Sequence, residues 1–118
     1  MKNFKRLMIW QKGIQITKLV YKQLKNIPHD AKYELGSQLI RSAISIPSNI
    51  AEGSSRSSAK DYQRFIEIAL GSSFELETQL IILREITEEN EDLKNLLLLI
   101  DEEQKMLMSF MNKVAQGI

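Results

Sequence analysis

The chain has 118 residues, 43% of them hydrophobic and 26% charged, the size and make-up of a single domain spanning residues 1–118. It has no cysteine and a single histidine, His29, which excludes disulfides, thiolate zinc sites, thiol nucleophiles and histidine-pair metal or triad chemistry. The net charge of +1 hides a division: residues 1–64 hold 12 Lys and Arg against 4 acids, and residues 65–118 hold 4 against 11. Such asymmetry points either to a basic surface for nucleic acid or to basic and acidic halves that meet, within one bundle or between subunits.

The N-terminus, Met1 to Arg6, is basic, but the apolar run after it, Leu7 to Trp10, is too short for a signal peptide. No stretch approaches the roughly 20 apolar residues of a membrane span, so a soluble, cytoplasmic protein is expected. The first helix is predicted over 7–25. Trp10, Ile14, Thr17, Tyr21 and Leu24 recur at alternating spacings of four and three and form its apolar seam, which Ile9, Ile16 and Val20 widen. Gln11, Gln15, Lys18, Lys22 and Lys25 take the opposite, basic face. Trp10 reads as a core or interface anchor.

Asn26 to His29 form the first connection, and Asp30 is the expected N-cap of the second helix, 32–53. Leu35, Leu39, Ala43, Ile46 and Ile50 are its core row. Because that row continues past Pro47, the proline is expected to kink the helix rather than end it. Gly53 to Ser58 read as a helix end, a turn and a new N-cap at Ser57 or Ser58.

The third helix, 59–87, carries Tyr62, Phe65, Ala69, Ser72, Leu76, Leu80 and Leu83 on its main seam, with Ile66, Leu70, Phe74 and Ile81 on another face. Glu88 to Asp92 give an acidic last connection. In the fourth helix, 91–115, Leu93, Leu97, Ile100, Gln104, Leu107, Met111 and Val114 hold the heptad spacing. Leu99, Met106 and Phe110 form a second stripe that one bundle core does not need, and they are the expected oligomer contacts. Asp101, Glu102 and Glu103 read as a solvated run. Four helices joined by short connections give an all-α fold, an antiparallel up-and-down four-helix bundle.

The second helix also carries a polar row, Gln38, Arg41, Ser45, Asn49, Glu52 and Arg56, at spacings of three or four. Folding the third helix back around a turn near Arg56 brings Arg41 level with about Ser72 to Glu75, and Gln79 one turn further. The row is either a solvated face or a polar network that fixes register or a subunit contact; in the second case Arg41 is partly buried and paired with Glu75 or Glu52. Catalysis is not expected. Glu75 and Glu77 point to different faces, a di-metal site would need Glu-x-x-His on a helix, and Gly71-Ser72-Ser73 lacks the spacing of a phosphate loop. No metal or cofactor is expected.

Several motifs carry a family resemblance. They are Gln38-Leu39-Ile40-Arg41-Ser42-Ala43, Ser45-Ile46, Asn49-Ile50-Ala51-Glu52-Gly53, Arg56-Ser57, Phe65-Ile66-Glu67-Ile68-Ala69, Gly71-Ser72 and Glu75-Leu76-Glu77-Thr78-Gln79-Leu80. Together they resemble the four-helix-bundle proteins of 23S rRNA intervening sequences. The resemblance extends more loosely to Trp10 and Tyr21; Ile40, where a basic residue is common, and Pro47 inside the motif depart from the pattern. It implies a bacterial, non-enzymatic bundle that assembles as a ring, usually a homopentamer. A more distant similarity in fold is to the accessory variability determinants of diversity-generating retroelements, which implies a link to nucleic acid and a reverse transcriptase. The expected function is therefore a homo-oligomeric bundle that binds RNA or DNA through its basic first helix, with Arg6, Lys12, Lys18, Lys22 and Lys25 as candidates, or that partners a nucleic-acid-processing protein. The alternative is a purely structural or protein-interaction module with no nucleic-acid role.

Overall fold

The computed structural model describes residues 3–88 and 90–117. Met1 and Lys2 of the basic start, Glu89 of the acidic connection, and Ile118 lie outside the described residues. The helices are α1 (Met8–Gln23), α2 (Lys32–Ser54), α3 (Ala59–Ile86) and α4 (Glu91–Ala115), with short 3-10 turns at Phe4–Arg6, Leu24–Asn26 and His29–Ala31. Among the described residues there is no strand. Each helix packs on its chain neighbours and α4 closes back on α1, giving an antiparallel four-helix bundle of 46 × 22 × 20 Å.

Local chemistry sets the ends. Ser58 caps α3 by accepting from the Asp61 amide at 3.1 Å, and Asn90 caps α4 by accepting from Leu93 at 3.2 Å. Asn90 also donates to Gln23 Oε1 at 3.0 Å, which ties the start of α4 to the end of α1. Asp30 does not cap α2: it lies within the His29–Ala31 turn, and Ala31 occupies the cap position without a side-chain bond. Pro47 does not end α2, which runs on to Ser54.

Ile16, Leu39, Ile46, Ile50, Ile66, Leu76, Leu80, Leu83, Leu96, Ile100 and Leu107 are fully buried. Each contributes about 1.5–3 kcal/mol through apolar area removed from water. The core row expected of α2 is present in Leu39, Ala43, Ile46 and Ile50. In α1 the phase differs from expectation. Ile9, Gly13, Ile16, Val20 and Gln23 face inward, whereas Ile14 is 37% and Tyr21 50% exposed.

The cause is close packing of backbones. A Cβ on Gly13 would stand 3.3 Å from both Cβ and Cδ of Pro47, so α1 presents its glycine to the proline ring and turns Ile14 and Tyr21 outward, while Trp10 stays packed against the edge of the core. Gly53 plays the same part between α2 and α3, where a Cβ would fall 2.9 Å from Phe65 Cβ. It packs inside α2 and does not form a left-handed helix end.

Candidate nucleic-acid interface

Lys18 and Lys22 of α1 and Lys25 of the 3-10 turn that follows it succeed one another at spacings of four and three, so they share the face directed away from the core. All three are exposed, and none takes part in an ion pair among the described residues. Arg6 is exposed as well. Lys12 is different. It reaches across to α4 and donates to Glu102 Oε1 at 2.8 Å, with only 18% of its side chain exposed. The basic face therefore consists of Lys18, Lys22 and Lys25, while Lys12 belongs to the α1–α4 seam.

The same seam holds the side chain that sequence spacing misplaced. Glu103 is not part of a solvated run: it is fully buried, and neither carboxyl oxygen has a hydrogen-bond partner among the described residues. Burial raises its pKa from 4.5 to about 8, against the opposing pull of the Lys12 ammonium, so it is largely protonated at neutral pH. A signal was present. Leu96, Ile100, Glu103, Leu107 and Val114 are spaced as one helix face, and that face is the buried one.

The polar row is brought together in part. Gln38, Arg41, Ser42, Ser45, Glu75 and Gln79 line a groove of about 350 Å3 between α2 and α3. Ser45 and Ser72 bond across it at 2.7 Å, and Asn49 donates to Ser45 Oγ at 2.9 Å. Gln79 Oε1 is buried without a partner among the described residues. The expected Arg41 pair does not form: Arg41 is exposed, and no ion pair among the described residues joins it to Glu75 or Glu52. At the rim of a polar groove water solvates the guanidinium, so nothing forces it to pair. Glu52 instead accepts from Arg56 at 2.6 Å, one helical turn away, and the Arg56 guanidinium lies 4.7 Å over the Phe65 ring. Glu52 and Arg56 thus form a separate unit at the end of α2.

Leu99, Met106 and Phe110 are half-buried and packed against the core, and the Phe110 ring meets Tyr62 edge-on at 5.6 Å. They are not a stripe left over from the bundle. Trp10 is half-buried too, edge-on to Phe4 at 5.4 Å. The more exposed large apolar side chains are others, among them Met8, Tyr33, Phe74, Ile82, Ile86 and Leu98. Among the described residues no group of three or more His, Cys, Asp or Glu could hold a metal ion, and no helix is long and apolar enough to cross a membrane.

The sequence pattern of the family described as 23S rRNA-intervening sequence protein matches residues 5–109, nearly the whole bundle. The chain belongs to this family. In fold, this 23S rRNA-intervening sequence protein is similar to a crystal structure of a protein of unknown function from the S23 ribosomal protein family of Bacteroides thetaiotaomicron. The two share 24% identity with a TM-score of 0.77, over 88% of this chain and 98% of the other. No curated protein matches the sequence. The family match takes in the basic face, the polar groove and Glu103 together, all of which lie between residues 5 and 109.

Proposed function

We propose that this 23S rRNA-intervening sequence protein is a cytoplasmic, non-enzymatic homo-oligomer, a pentamer by family resemblance, that binds nucleic acid weakly and without sequence specificity through α1. The observation that carries the reading is the face of Lys18, Lys22 and Lys25, exposed and without an acid partner among the described residues. Residues 1–32 hold 8 Lys and Arg against the single acid Asp30, and a closed ring repeats that excess in every subunit. Lysines that contact phosphates release counterions, so affinity falls steeply with salt. The distant resemblance to accessory variability determinants points the same way. No cofactor or metal enters the reading.

Assembly draws on the exposed apolar side chains of α3 and α4, Phe74, Ile82, Ile86 and Leu98, together with the parts of Leu99, Met106 and Phe110 that the core leaves uncovered. The same exposed surface favours the second reading, a purely structural or protein-interaction module. Charge reversal separates the two. In the nucleic-acid reading K18E/K22E/K25E loses RNA in a gel-shift assay at about 50 mM salt while light scattering gives an unchanged oligomer mass. If the wild-type protein shifts neither RNA nor DNA there, the interaction module stands instead.

A further inference from the structure

We infer that the end of the bundle where α1 passes to α2 binds single-stranded nucleic acid, with Tyr21 and Tyr33 as stacking platforms for bases. The inference rests on the basic-face reading and adds the form of the ligand. Tyr21 is 50% and Tyr33 90% exposed, and neither makes a hydrogen bond or ring contact among the described residues. Exposed aromatic rings among lysines are the elements of a single-strand surface, because bases stack on the rings while the ammonium groups hold phosphates.

The two rings share one side of the molecule. Trp10, Ile14 and Thr17 of α1 and Ile44, Ser48 and Ala51 of α2 line a shallow groove on the outer surface. Tyr21 lies seven residues beyond Ile14 and Tyr33 eleven before Ile44, both close to whole numbers of helical turns, so each continues its helix's edge of that groove. Gly36 sits beside Leu24, where a Cβ on it would be 3.7 Å from Leu24 Cδ2. Tyr21 and Tyr33 lie three residues to either side of that level, roughly 9 Å apart along the bundle axis at the helical rise.

Charge completes the surface. From Lys18 to Tyr33 the chain carries Lys18, Lys22, Lys25 and Lys32 against Asp30 alone, and all four lysines are exposed. Lysines hold phosphates of a duplex and of a single strand alike. Exposed rings do not: in a duplex the base faces are covered by their neighbours, about 3.4 Å per step, whereas a single strand can splay its bases onto aromatic side chains. Stacking is tolerant of sequence because every base has a π-face, in keeping with binding that lacks specificity.

The test is fluorescence anisotropy with a labelled single-stranded RNA of about 15 nucleotides and its blunt duplex, at about 50 mM salt. The single strand is expected to bind more tightly. Tyr21→Ala and Tyr33→Ala should each weaken it by about 5- to 150-fold, the range of base stacking converted at 1.4 kcal/mol per tenfold. Duplex affinity and the oligomer mass should not change, and Tyr21→Phe and Tyr33→Phe should bind as the wild type. Alanine variants that bind the single strand normally while K18E/K22E/K25E loses both RNAs overturn the stacking role and leave the basic face standing. A duplex bound as tightly as the single strand also overturns it. Loss of the oligomer in the alanine variants would assign the tyrosines to a subunit contact, and a wild-type protein that binds neither RNA removes both readings.

Discussion

Thr17 Oγ1 lies 3.2 Å from the carbonyl oxygen of Ala43, the α2 acceptor whose usual amide partner, four residues on, is the nitrogen of Pro47 and carries no hydrogen. The hydroxyl is also 2.8 Å from its own Gly13 carbonyl, so a single proton serves both helices where Gly13 meets the Pro47 ring. The proline that removes a bond inside α2 is thus compensated from α1. Thr17→Val should cost about 1–2 kcal/mol, because it leaves a part-buried carbonyl unserved. In a Pro47→Ala background the restored amide takes over, and the same change should cost less. Denaturant titration of the four proteins measures the coupling; simple additivity would refute it.

The glycines separate packing from helix propensity. Gly53→Ala places a methyl group within 3.0 Å of Phe65 and Tyr62 atoms and should destabilise by about 1–3 kcal/mol through overpacking. Gly71 sits on the exposed side of α3, and a Cβ added there would meet nothing within 4 Å, so Gly71→Ala should stabilise by about 1 kcal/mol. Thermal melts should therefore move in opposite directions.

Glu103 makes stability depend on pH. Its folded pKa of about 8 exceeds the ordinary 4.5, so the folded chain keeps a proton that the unfolded chain releases. The contribution is fully present below about pH 4.5, declines as pH rises to about 8, and is flat above, a loss on the order of 5 kcal/mol. Glu103→Gln should remove that slope, seen by comparing its denaturant midpoints with wild type at both ends of the window. Lys12→Met should extend the window upward, because the ammonium is what holds the carboxyl down.

Arg41 lies at the groove rim, exposed and without an ion pair among the described residues, so Arg41→Ala should change stability by no more than about 0.5 kcal/mol. A loss of about 3 kcal/mol or more in denaturant titration would instead indicate an enclosed pair.

The helices, their order and their ends within two residues are legible in the sequence, because helical period, the Ser58 cap and short connections are local features. So are the basic face of α1 and the register that sets Arg41 beside Glu75 and Gln79, which follow from spacing along single helices and one turn. Only the tertiary structure decided which apolar face of α1 turns inward, since Ile9, Ile16 and Val20 compete on equal hydrophobic terms with Trp10, Ile14 and Tyr21. Contact between Gly13 and Pro47 on different helices settles that choice. The same holds for charge: Lys12 and Lys18 look alike in sequence, but α4 brings Glu102 to the first and, among the described residues, no acid to the second. The spacing of Leu96, Ile100, Glu103 and Leu107 puts Glu103 on one apolar face of α4. That this face is the enclosed one is decided by the packing of α4 between α1 and α3, a property of the assembled bundle.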